Sequence, residues 1–221
     1  MMASDGGSII PVYKPRGITS FEVVRIVRRE LNLKKVGHAG TLDPLAEGLL
    51  ILLTGSKTKM MDELLKVGKE YVATLKLGSV SKSHDLETEL VVRAPYVKVS
   101  ETEIRESLKK YRGQIEQVPP EYSAAWVNGK RAYNLAREGV RFKLKPKVVT
   151  ISEIEVVSYI SPALVLRIAC SSGTYVRSLA RDIGEDLGCG AVLTELVRTR
   201  IGPYSVENAI RLDELKLRFA S

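Results

Sequence analysis

Hydrophobic and polar positions fall into short runs along the chain. Ile9 to Tyr13 is a brief apolar stretch, and Pro15 and Gly17 turn the chain after it, so a strand is expected there. Thr19 and Glu22 have the spacing of a capping box, which opens a helix. Its expected buried stripe is Phe21, Val24, Ile26, Val27 and Leu31, its wet face carries the arginines, and Asn32 is the expected stop. The run LLILLT (49–54) is continuously apolar, the pattern of a strand buried on both faces. A helix with Met60, Met61, Leu64 and Leu65 follows. In KEYVATLKLG, Tyr71, Ala73, Leu75 and Leu77 alternate with their neighbours as in a half-buried strand.

Farther on, Ser100 and Glu103 form a second capping box, opening an amphipathic helix that ends near Gly113. Val148 to Tyr159 and Ala163 to Ser171 alternate like two strands paired across a Ser-Pro turn. Thr174 to Leu187 reads as a helix stopped by Gly188, and Ala191 to Arg200 as a last strand. Residues 36–48, VGHAGTLDPLAEG, contain three glycines and a proline and are expected to be a loop. About seven strands and four or five helices result, without strict β-α alternation. No repeat and no linker divides them. The expected class is α+β, a single domain over 1–221 built on a mixed sheet.

Composition narrows the function. With 34 basic and 26 acidic side chains the formal charge is +8, which suits a polyanionic partner. Residues 119–150 concentrate that charge, with seven basic and two acidic side chains among Tyr122, Trp126, Tyr133 and Phe142. Two cysteines are too few for a disulfide framework, and two histidines without a Cys-x-x-Cys pair leave no zinc site. No apolar run approaches the roughly 20 residues that span a bilayer. Neither a metal nor a membrane is expected, and the expected location is cytoplasmic.

The candidate chemistry lies in GHAGTLDPLAEG. Pro44 pushes Asp43 towards extended backbone, and the buried strand behind the loop offers a rigid base for its carboxylate. On spacing alone, Asp43 fits equally a turn-forming Asx-Pro or a helix cap. Tyr71 fits a core aromatic of an alternating strand, and Leu196 an ordinary core leucine.

Four segments change these readings. KPRGITS (14–20), GHAGTLDPLAEG (37–48), KEYVATLKLG (69–78) and SSGTYVRSLARDIGEDLGCGAVLTELVRTRIGPY (171–204) occur in that order. Together they resemble the motifs of the TruB-type pseudouridine synthases over nearly the whole chain. The resemblance implies the pseudouridine synthase fold, with a largely antiparallel mixed sheet flanked by helices and loops. It implies isomerisation of one uridine, expected at position 55 in the T arm of tRNA, with neither cofactor nor metal. Asp43 then corresponds to the essential aspartate, Arg177 to the arginine paired with it, and Tyr71 to the tyrosine that stacks on the base and removes the C5 proton. Leu196 corresponds to an apolar residue near the reacting base, and His38 to a histidine that assists base extrusion.

Asp85 aligns with an aspartate near the flipped nucleotides. The family shows a Thr/Ser-Asp-rich turn ending in Gly there, whereas this chain reads SKSHDLETE, which equally fits a solvated acidic turn. Residues of about 119–150 match an RNA-contacting thumb, in which Lys130, Arg131, Arg137 and Arg141 would meet phosphates and Tyr133 would offer a flat face. No C-terminal PUA-like domain is expected, nor an obligatory protein partner; a monomer is expected. Two other readings fit the same residues: the guide-RNA-dependent branch of the superfamily, and a non-catalytic RNA chaperone.

Overall fold

The computed structural model describes residues 7–95 and 97–219. The chain begins with β1 (Ile9–Lys14), α1 (Ser20–Glu30), β2 (Val36–Ala39) and β3 (Glu47–Thr54). A 3-10 turn (Gly55–Met60), α2 (Met61–Lys66), β4 (Lys69–Leu77), β5 (Ser79–Val80) and β6 (Val91–Val92) follow. Then come α3 (Glu101–Lys109), β7 (Gly113–Gln117), β8 (Trp126–Val127), β9 (Lys130–Arg131) and α4 (Ala132–Arg137). The long hairpin of β10 (Lys147–Ile160) and β11 (Ala163–Cys170) leads to α5 (Val176–Asp186), β12 (Ala191–Ile201), β13 (Tyr204–Ser205) and α6 (Leu215–Phe219).

These elements form two units. One contains the described residues up to Val72 and those from Leu196 onward; the other is Ala73–Glu195. In the first, the strand order is β1-β3-β12-β4, with β2 added to β3 and β13 to β12. All the pairings described there are antiparallel except β12 with β3, which is parallel and sets Arg198 beside Gly48. Gly48 has a φ of 104°, and a Cβ there would meet the Arg198 carbonyl oxygen at 2.4 Å, so only glycine fits this approach.

The apolar run of β3 is buried on both sides, as its composition predicts. Leu50 and Leu52 pack with Ile10, Val12, Val23, Val24, Val27 and Leu215, whereas Leu49, Ile51 and Leu53 pack with Ala39, Leu64 and Ile201. The second unit has the order β12-β4-β11-β10-β7, with β10 antiparallel to both its neighbours. The architecture is α+β, a mixed and mostly antiparallel sheet with helices against it.

Both capping boxes form: the Thr19 and Ser100 hydroxyls accept from the backbone N–H of Glu22 and Glu103, whose carboxylates accept in return. Three expectations need correction. Val36–Ala39 is strand β2 rather than loop, because it adds to β3 and satisfies that strand's second edge. Phe21 is 64% exposed, and the inward stripe of α1 is Ser20, Val23, Val24 and Val27. Strand β7 was not expected, because GQIEQ has one apolar residue and its pairing to β10 comes from backbone bonds.

Candidate active site

The loop of residues 40–46 joins β2 to β3 and holds Asp43, which is half-buried. The Asp43 carbonyl accepts from the Ala46 N–H at 3.0 Å, closing a turn over Pro44. Three buried side chains pin the loop. The Ser20 hydroxyl accepts from the Leu42 N–H at 2.9 Å and donates to the Leu42 carbonyl at 3.1 Å. The Lys14 ammonium donates to the carbonyls of Ala46 at 2.5 Å, Pro15 at 3.1 Å and Pro44 at 3.3 Å. The Arg198 guanidinium donates to Leu49 at 2.8 Å, Gly40 at 3.0 Å and Thr41 at 3.4 Å. Backbone on both sides of Asp43 is thus tied to the scaffold, the preorganisation a reacting carboxylate needs.

Burial draws the Lys14 ammonium down to about 8, against the pull of Asp43 and Glu47 and with the repulsion of Arg198. Burial also lowers the Arg198 guanidinium, while Tyr71 counteracts this by charge and by a side-chain hydrogen bond to it. Tyr71 is therefore buried on β4 with a polar partner, not a merely apolar core residue. Leu196 is buried two positions before Arg198 and shares its face of β12. His38 lies within β2 opposite Leu52, where burial and the nearby Arg198 push its imidazole below the ordinary value. It is uncharged at neutral pH, and its Nδ1 is buried without a hydrogen-bond partner among the described residues.

In the second unit, Arg177 is buried in the first turn of α5. It donates to the carbonyls of Tyr122 at 2.9 Å and Ser83 at 3.2 Å, and its Nε stands 3.5 Å from the Asp85 carboxylate. Asp85 is 5% exposed, so the segment SKSHDLETE is not a solvated acidic turn. It is a polar knot: Ser81 and Ser83 donate to the Asp85 carbonyl, Asp85 accepts from the Glu87 N–H, and Ser83 and Thr88 bond each other.

The basic segment forms the small hairpin β8–β9, turned by Asn128 and Gly129 with φ of 48° and 79°, and then α4. Arg131 stacks over exposed Trp126 at 4.1 Å and donates to the Ala124 carbonyl, while Arg137 pairs with Glu87 at 2.7 Å and lies 5.8 Å from the Tyr133 ring. Lys130 and Arg141 are exposed, and Tyr133 is at the edge of exposure. Among the described residues no group of three or more His, Cys, Asp or Glu could hold a metal ion, and no helix is long and apolar enough to cross a membrane.

Residues 28–176 match the sequence model of the TruB family pseudouridylate synthase N-terminal domain, and residues 177–220 match that of the tRNA pseudouridylate synthase B C-terminal domain. The chain belongs to the TruB family of pseudouridine synthases. It is 47% identical over 220 residues to tRNA pseudouridine synthase B of Bacteroides thetaiotaomicron, covering 95% of this chain and 92% of the relative. It is 43% identical over 207 residues to the Clostridium tetani protein of that name, covering 94% of this chain and 72% of the relative. Among solved structures, Cbf5 in a Cbf5-Nop10-Gar1 complex superposes with a TM-score of 0.74 at 33% identity over 95% of this chain and 54% of that one. Members of the TruB family are isomerases, and this chain carries their fold.

Sequence reasoning missed three residues of this TruB-family site, Lys14, Ser20 and Arg198, although each left a signal. Lys14 continues the inward alternation of Ile10 and Val12, and Arg198 that of Leu196. Ser20 stands at the helical spacing of Val23, Val24 and Val27. A polar side chain at a position that periodicity assigns to the core has a polar task there, and here the task is to bond the loop that carries Asp43.

Proposed function

We propose that this protein converts a uridine of the tRNA T arm, at position 55, to pseudouridine, with Asp43 as the residue that starts the reaction. The observation that carries this reading is the pinning of the Asp43 loop by the buried Lys14, Ser20 and Arg198. A carboxylate so held attacks C1′ as nucleophile or draws a proton from C2′; both routes release the N1–C1′ bond and let the base turn. Lys14 supplies positive charge that favours the ionised carboxylate. Arg177 is proposed as the cation the motif assigns to Asp43, Tyr71 as the stacking ring and C5 base, and Leu196 as apolar packing near the base. His38, being neutral, is proposed to contact RNA as a hydrogen-bonding group. Asp85 is proposed to act by holding Arg177 in place.

The target uridine must leave its stack, at a cost of about a few kcal/mol. Lys130 and Arg141, exposed on the surface of the basic segment, are proposed to offset it through phosphates, with Arg131, Arg137 and Tyr133 beside them. No cofactor, metal or obligatory protein partner enters this scheme, and a monomer suffices. The test is to incubate the purified chain with tRNA lacking pseudouridine and to map the modified positions. Product at uridine 55, abolished by Asp43→Asn with RNA binding kept within about twofold, supports the reading; full turnover by Asp43→Asn refutes it. The likeness to Cbf5 favours a second reading, in which guide RNA and partner proteins are required. Turnover of a bare T-arm hairpin decides against it.

A further inference from the structure

Arg198 does more than close the loop. Its guanidinium is 1% exposed, and its direct partners are three backbone carbonyls and the Tyr71 hydroxyl. Tyr71 acts on it both by charge and by a side-chain hydrogen bond. A buried cation is costly, and it favours negative charge on the groups around it that can carry it. The Tyr71 oxygen, hydrogen-bonded to it directly, is one of them. The other titratable groups around this point are Lys14 and His38, whose values are shifted by the charge of Arg198, and the carboxylates of Asp43 and Glu47, which act on Lys14.

We propose that Arg198 is a positioning residue for the isomerisation, one guanidinium that fixes the Tyr71 oxygen and the Asp43 loop to the same point and stabilises the phenolate of Tyr71. The inference rests on the reading of Tyr71 as the C5 base. A phenol that has lost its proton to solvent takes the C5 hydrogen as a proton. The C–H electron pair forms the C5=C6 bond as the C6=N1 pair moves to N1, which takes a proton from water, and the phenol is left neutral. A guanidinium that donates to the oxygen holds it in line and favours the state that accepts. Hydrogen bonds to Gly40 and Thr41 from the same side chain keep this oxygen in register with the loop that carries Asp43.

The test is a double-mutant cycle between Arg198→Lys and Tyr71→Phe, read by single-turnover rate, RNA affinity and the isotope effect of uridine deuterated at C5. Wild-type product tests the reaction itself, and Tyr71→Phe tests the base; neither result depends on Arg198. The expected outcome is a loss of at least about tenfold in rate for Arg198→Lys, with RNA affinity within about twofold and a raised C5 isotope effect. In the Tyr71→Phe background Arg198→Lys should then cost less than about twofold. A full, multiplicative loss in that background, or a wild-type rate for Arg198→Lys, overturns the proposal. Arg198→Gln and Arg198→Met are made in parallel, and rates are compared only among variants with a native melting transition. If none of the three folds, Arg198 belongs to the scaffold alone and the proposal falls.

Discussion

Replacing Ser20 by alanine removes one oxygen from the first turn of α1, and the structure shows what that oxygen does. It bonds both the N–H and the carbonyl of Leu42, the residue before Asp43, where Ser20 is 2% and Leu42 3% exposed. Alanine leaves both backbone groups without this partner in a place sealed from water. Each such group costs about 1–3 kcal/mol, and the helix gains back at most about 0.5 kcal/mol from alanine. The net loss should be about 1.5–5.5 kcal/mol, which for a chain this long lowers the melting temperature by roughly 3–22 °C. A carboxylate displaced by about 1 Å loses about 100-fold in rate, so the single-turnover rate should fall by about 10- to 100-fold even where the fold is intact. The assays are thermal unfolding followed by circular dichroism, and single-turnover conversion of a T-arm hairpin well below the melting temperature. A loss under about 0.5 kcal/mol together with an unchanged rate would refute the idea that this hydroxyl fixes the loop.

Asp85→Ala should destabilise the second unit by about 3 kcal/mol, because it removes a buried carboxylate from beside a buried guanidinium. Asp85→Asn, which keeps an acceptor for the Glu87 N–H, should cost less; urea titration of both variants checks the order. Arg141→Glu should weaken RNA binding and lower the slope of log affinity against log salt by about 1. Arg137→Glu should act more on stability, since that side chain already serves Glu87; equal slopes for wild type and Arg141→Glu would remove the basic segment from the binding surface. The Lys14 ammonium, drawn by burial from 10.5 to about 8, makes stability depend on pH. Between those values the unfolded chain holds a proton that the folded chain has released, so this residue makes stability rise with pH, by at most about 3 kcal/mol. Lys14→Met should flatten the rise measured by chemical denaturation from pH 8 to pH 10.

The regular frame was legible because period-two and helical patterns report burial directly. LLILLT marked the strand that divides two cores, and each capping box marked a helix start. Elements held by backbone bonds alone left no such trace, and β2 and β7 are the examples. Phe21 misled because an aromatic suggests a core residue, whereas a serine holds the inward place. Asp43 and Tyr71, the residues proposed for the reaction, stand in motifs that the sequence displays. The tasks of Ser20, Lys14 and Arg198 were not, because side-chain bonds to backbone leave no pattern of residue types along the chain. The polar knot around Asp85 was hidden for the same reason, since serine, threonine and aspartate there look like any wet turn.

The clamp on the Asp43 loop also has a timing. Arg198 reaches carbonyls 149 to 158 positions earlier in the chain, whereas Ser20 and Lys14 reach only 22 to 32 positions ahead to Leu42, Pro44 and Ala46. On the ribosome the first two anchors are available once some fifty residues have emerged, whereas the third waits for Arg198, about 150 residues later. A nascent chain not yet extended to Arg198 therefore carries the aspartate without its guanidinium brace, and the loop waits for its last anchor.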